Sequence, residues 1–186
     1  MLGMKQWLTL EDPSTNSFTC TYMMNGYLST ILSALCTRLD IYIAKYMHFS
    51  GSCFFINKAM FEAIGLFDES VFLYGEEDDI HYRLMHRFKD CKIKYDKSLK
   101  YLHLTKERMP DIKYEKMLID VAVIQNKKKN YDERKTLRNR LRCINLQIYR
   151  ERLRVKYGKN DRTLLYMLEE LKLYIKEKLQ SCKQIK

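Results

Sequence analysis

A chain of 186 residues with 46% apolar side chains is long enough to bury a core, and its 2 Pro and 6 Gly argue against a long disordered or linker-rich protein. The formal charge of +11 is unevenly placed: residues 1–104 hold 11 Lys/Arg against 12 Asp/Glu, residues 105–186 hold 23 against 11. The six cysteines are widely spaced with no Cys-x-x-Cys pair, which argues against a zinc site or a disulfide framework.

Residues 1–26 read as irregular, with turn formers crowded between Glu11 and Ser17. Residues 27–48 are predicted as one helix, because Leu28, Ile31, Leu32, Leu35, Leu39 and Ile43 recur at three- and four-residue steps. The expectation is that this stripe packs on a core, the alternative being a helix lying on a membrane surface. The apolar run from Tyr27 to Cys36 is too short to span a bilayer, which takes about 20 apolar residues. With no signal-peptide pattern at the start, the expected location is the cytoplasm.

Ser52–Ile56 reads as a buried strand, after which Asn57 caps a short helix carrying Met60, Phe61 and Ile64 and ending at Gly65. An aromatic loop, 66–75, leads into a helix from Glu76 to about Phe88 with Ile80, Leu84 and Phe88 on one face. Cys91–Tyr95 and Leu99–Leu104 read as two short strands with a turn at Asp96–Ser98 between them. Beyond Pro110 the period is helical over 112–126, 131–156 and 161–180, the last capped by Asp161 and striped by Leu164, Leu165, Leu168, Leu171, Ile175 and Leu179. The chain is thus expected to divide into a mixed α/β region, 1–109, and a basic helical segment, 110–186.

Glu76, Glu77, Asp78 and Asp79 stand where a helix begins. The free N–H groups and partial positive charge there stabilise anions, while crowding of like charges raises some of their pKa values. A carboxylate so placed can be ionised and still basic enough to take a proton from a sugar hydroxyl. Phe67, Phe72 and Tyr74 can offer flat faces to a sugar ring, and Arg83, further down the helix, can hold a carboxylate or meet a phosphate.

The order of Gly51-Ser-Cys-Phe-Phe-Ile56, Ile64-Gly65, Phe67-Asp68-Glu69, Phe72 with Tyr74, Glu76-Glu77-Asp78-Asp79-Ile80 and Arg83 resembles the acceptor region of family 2 glycosyltransferases. The likeness covers residues 50–104. It implies an α/β fold of the GT-A (Rossmann-like) type. It also implies an inverting transfer from a nucleotide-sugar donor to a sugar or lipid-linked acceptor, in surface polysaccharide assembly. Glu77 matches the family's base, ordinarily Asp; the added methylene leaves Glu76 and Asp79 as alternatives. Asp78, Phe72, Tyr74 and Arg83 would bind substrate. A divalent metal, Mg or Mn, is expected in the full enzyme, with His103 at a position that in some members touches metal or diphosphate. No Asp-x-Asp occurs, and too few residues precede Gly51 to hold nucleotide-binding strands. The expectation is therefore a partial domain lacking its N-terminal donor half, followed by the helical segment. The rival expectations are a non-catalytic half-domain acting as a binding or scaffold partner, and a nucleic-acid-binding helical protein.

Lys127, Lys128, Lys129, Arg134, Lys135, Arg138, Arg140, Arg142, Arg150, Arg152 and Arg154, with Tyr114, Tyr131, Tyr149 and Tyr157 among them, suit an anionic membrane surface or a solvated face. Nucleic acid is the less favoured partner, because no nucleic-acid motif accompanies the charge.

Overall fold

A computed structural model describes residues 1–7, 17–20, 26–70, 75–103, 111–158 and 162–182. The chain is mixed α/β and folds as two compact units. The first comprises Met1–Met23 and Ile31–Glu107, the second Met24–Thr30 and Arg108–Lys186.

The first unit holds a three-stranded sheet in the order β4-β1-β5 and a two-stranded sheet of β2 and β3. The strands are β1 (Leu2–Trp7), β2 (Phe18–Cys20), β3 (Met47–Phe49), β4 (Phe54–Phe55) and β5 (Lys94–Leu102). β1 runs antiparallel to β4 and parallel to β5. The chain start, read as irregular, is therefore the central strand. Its pattern hides this: adjacent residues Gly3 and Met4 are both buried, so the two-residue alternation of a half-buried strand is lost. Gly3 is required here, since a Cβ at that position would penetrate the Phe49 ring. Phe18, Cys36, Met47 and Phe49 form the core, walled by Tyr42 and Tyr95. Tyr42 stacks on Phe49 at 4.4 Å between centroids, and Phe18 meets Tyr95 edge-on at 5.1 Å.

Helix α1 (Gly26–Leu39) is shorter than the predicted 27–48. Asp40 adopts a left-handed conformation, φ 52°. The Ile41 N–H then bonds the Cys36 carbonyl at 2.9 Å and the Asp40 N–H the Thr37 carbonyl at 3.3 Å, the double closure of a Schellman end. Asp40 is held by Lys5 at 3.2 Å and by the Tyr95 hydroxyl at 2.9 Å. Met47, predicted helical, lies instead in β3. The periodic stripe also faces the other way from expectation: Leu28, Ile31, Leu35 and Leu39 are each more than half exposed, while Leu32 and Cys36 meet the core.

Ser52–Ile56 yields only the two-residue edge strand β4, with Phe55 exposed. Asn57 caps α2 (Lys58–Ala63) by accepting from the Met60 N–H, and Gly65 follows with φ 88°. Helix α3 (Glu76–Arg87) buries Ile80 and Leu84. The two expected strands around Asp96 are one. Between the pairs Met4–Asp96 and Lys5–Lys100 the register shifts, and Asp96 Oδ1 ties the extra residues by accepting from Ser98 N–H and Oγ–H. A turn signal inside β5 is thus a bulge. Leu104 lies outside the described residues.

The second unit is an up-down-up bundle of α4 (Ile112–Lys128), α5 (Glu133–Lys156) and α6 (Thr163–Ser181). Asp111 and Asp132 cap the first two through their side chains. Asn130, φ 60°, closes α4 with Tyr131 N–H bonded to the Asn126 carbonyl at 2.8 Å. Ile119, Leu137, Ile144, Ile148, Leu168, Leu171 and Ile175 interlock as its core. Asp161, expected to cap α6, lies outside the described residues. The Gly26 backbone approaches the Asn139 carbonyl within this unit, and the Cys143 thiol donates to the Gly26 carbonyl at 3.2 Å. Among the described residues no helix is long and apolar enough to cross a membrane.

Candidate functional site

The four acids at the start of α3 are adjacent in sequence, and the first turn of a helix sends them in different directions. Asp78 turns inward: its Oδ1 lies 3.6 Å from Nδ1 of His48 on β3, and both side chains are almost fully buried. Asp79 meets the Arg83 guanidinium one turn on, at 2.6 Å from Nη2 and 2.8 Å from Nε. Arg83 also donates to the carbonyls of Ile64 and, at 2.8 Å, of Leu66. It therefore fastens the α2 end, where Gly65 and Leu66 both have positive φ, onto α3. Of the two roles sequence allows Arg83, the structure occupies it with a carboxylate.

Glu77 is placed differently. Its carboxylate accepts from the Gly51 N–H and the Gly75 N–H, each at 3.2 Å, so it bridges the β3–β4 loop and the helix entrance. Gly75 has φ 97°, a left-handed turn that brings its amide round to face this carboxylate. The Glu77 carboxyl is pushed above its ordinary range. Burial is the largest cause; its own backbone amide lowers the value, the Glu76 charge raises it, and the Gly51 and Gly75 amides lower it again. Glu76 is half-buried, and its Oε2 has no hydrogen-bond partner among the described residues.

Beside Gly51 runs a chain of polar side chains that no sequence spacing suggests. Ser50 Oγ meets Ser52 Oγ at 3.0 Å, Ser52 Oγ meets the Tyr101 hydroxyl at 2.6 Å, and that hydroxyl donates to Gln6 Oε1 at 3.0 Å. Gln6 Nε2 then meets His103 Nδ1 at 3.2 Å. Gln6 and Tyr101 are register partners across β1 and β5, which is why residues 95 apart touch. The Tyr101 phenol is held above its usual range, first by burial, against a lowering hydrogen bond from Ser52.

Of the expected site residues, Glu76, Glu77, Asp78, Asp79 and Arg83 share one helix, and His103 reaches the same edge through Gln6, Tyr101 and Ser52. Phe72 and Tyr74 lie outside the described residues. Among the described residues, no group of three or more His, Cys, Asp or Glu is arranged to hold a metal ion. A hollow of about 470 Å³ lies further along α3, lined by Ala63, Ile64, Tyr82, Arg83, His86 and Arg87, away from the Glu77 carboxylate. No family model, no curated protein and no solved structure matches the chain.

Proposed function

We propose that this chain is the acceptor-side part of an inverting family 2-type glycosyltransferase with a partial GT-A-like domain, and that Glu77 is its general base. One observation carries the reading. Of the four acids, Asp78 faces a buried His and Asp79 faces an Arg, whereas the Glu77 carboxylate lies at the helix mouth with a raised pKa. A base must be deprotonated in use and still attract a proton, and a carboxylate lifted from its ordinary range meets both needs.

The acceptor hydroxyl, about 3 Å from the carboxylate, gives its proton to Glu77. Its oxygen forms a bond to the anomeric carbon on one face. The bond from that carbon to the diphosphate oxygen breaks on the other, and the nucleoside diphosphate leaves with the electron pair. The Gly51 and Gly75 amides hold the carboxylate in place without supplying it a full positive charge. On this reading the nucleotide sugar is presented to the acceptor by a separate donor-binding half. The exposed Tyr149 and Leu153 on α5 and Tyr157 at its end, interleaved with Arg150, Arg152 and Arg154, suit an anionic membrane surface and a lipid-linked acceptor at the cytoplasmic face.

The test is transfer from a panel of nucleotide sugars to saccharide acceptors by the full-length protein. Glu77→Gln is expected to lower kcat/KM by about 10²–10⁴-fold with KM little changed. A Glu77→Gln enzyme with wild-type turnover overturns the assignment.

A further inference from the structure

The hydrogen-bonded row beside Glu77 has a direction. The Tyr101 phenol has one proton, and it goes to Gln6 Oε1 at 3.0 Å, so the Ser52 hydroxyl donates into the phenol oxygen at 2.6 Å. An amide that accepts at its oxygen presents its NH₂ to its other neighbour. That neighbour is His103 Nδ1, at 3.2 Å. A ring nitrogen that receives an N–H must offer its lone pair, so the proton of the neutral imidazole sits on Nε2. Among the described residues Nε2 meets no hydrogen-bond partner.

This is the reverse of a metal-ligating histidine, which turns a lone pair to the metal and donates from its other nitrogen to an acceptor. It is also a poor cradle for an anion: the row's hydrogen bonds join hydroxyl, amide and imidazole groups, and the Glu77 carboxylate lies close by, bonded to the amide of Gly51 next to Ser52. What remains is a strip of polar donors and acceptors with two rings on it, Tyr101 near the end of β5 and His103 just beyond it, 6.4 Å apart between centroids. Uncharged polar strips with ring faces match polyhydroxylated, uncharged ligands.

We propose that Ser52, Tyr101, Gln6 and His103 form a saccharide subsite flanking Glu77, in which Gln6 fixes His103 as an Nε2–H donor to a sugar oxygen and His103 is not a metal ligand. The proposal rests on the reading of the Glu77 region as an acceptor site. Gln6 acts through His103 and is a positioning residue.

The test is ¹⁵N spectroscopy on the full chain. The His103 imidazole is expected in the Nε2–H form, and Gln6→Glu, which can only accept, is expected to move the proton to Nδ1. Methyl glycosides of glucose, galactose and rhamnose are then added at millimolar concentration. At least one is expected to shift the Gln6 amide and His103 ring signals, and Tyr101→Phe, which removes a single oxygen, is expected to weaken that binding at least about fivefold, the worth of one hydrogen bond. Near-UV circular dichroism checks that the variants fold. Mn²⁺ alone is expected to broaden His103 no more than the exposed His86. An Nδ1–H form in the wild type, selective broadening of His103 by Mn²⁺, or three glycosides that move none of these signals overturns the proposal. The two readings fail separately. Loss of transfer in Glu77→Gln without glycoside shifts sinks the subsite and keeps the base. Glycoside shifts with an unimpaired Glu77→Gln enzyme do the opposite.

Discussion

Replacing Arg83 by Ala is expected to unlatch α2 from α3. The substitution removes a guanidinium that is a quarter exposed and leaves behind an Asp79 carboxylate only 12% exposed, together with the Ile64 and Leu66 carbonyls. Breaking one side of a buried pair costs about 3–5 kcal/mol, and each bond from a charged donor contributes about 1.5–3 kcal/mol. Water reaches part of this site, so the sum does not apply in full, and about 2–4 kcal/mol is the expected loss. For a chain of this length that is a fall in Tm of roughly 5–12 °C. Arg83→Lys keeps the charge but not the fork, and should lose about half as much. Because the chain has two units, the readout should be local: hydrogen exchange at the α2 and α3 amides, alongside the melt. Protection changed by less than about 0.5 kcal/mol, the size of an ordinary surface substitution, would refute the latch. So would Asp79→Asn leaving stability intact while altering a transfer pH profile, since Asp79 would then be a working acid.

Gly3→Ala should cost about 1–3 kcal/mol or more through overpacking against the Phe49 ring, and Phe49→Leu should recover part of it in a double-mutant cycle followed by urea unfolding. In the bundle, Leu137→Ala removes a fully buried side chain and should lower the stability of the helical unit by about 2–5 kcal/mol in the same assay. Asp40 is worked on by burial, which raises its pKa, but the Tyr95 and Lys5 hydrogen bonds and the Lys5 and Lys97 charges hold it below its ordinary value. A carboxyl lowered on folding contributes stability above its unfolded pKa and loses it as pH falls through the folded one. Asp40→Asn should therefore be less stable than wild type at pH 7, with the gap closing in an acid titration below the usual carboxylate range; a gap constant with pH contradicts the ion pairing.

The helices of the second unit were legible because their apolar residues repeat at the helical period over many turns, and Leu168, Leu171 and Ile175 are buried as that period requires. The end of α1 was not, because Ile43 prolongs the periodic pattern past a Schellman closure that depends on Asp40 finding Lys5 and Tyr95, both distant in sequence. β1 was hidden by its burial on both sides, and β5 was divided by a turn-forming Asp-Lys-Ser that folds as a bulge. The same distinction runs through the site. Consecutive acids at a helix start are visible to anyone reading the chain, but which acid faces His48, which faces Arg83 and which keeps the helix mouth follows from tertiary packing. The row from Ser52 to His103 joins side chains up to 97 positions apart and leaves no local trace.

The most direct measurement of the central claim is a carbon-detected titration of the Glu77 carboxyl in the full chain, with Glu76→Gln beside it. A proton acceptor poised by burial and by its neighbour's charge should titrate above the ordinary glutamate range, and its midpoint should fall when Glu76 is neutralised. A Glu77 that titrates at or below that range, unmoved by the loss of the Glu76 charge, contradicts the account.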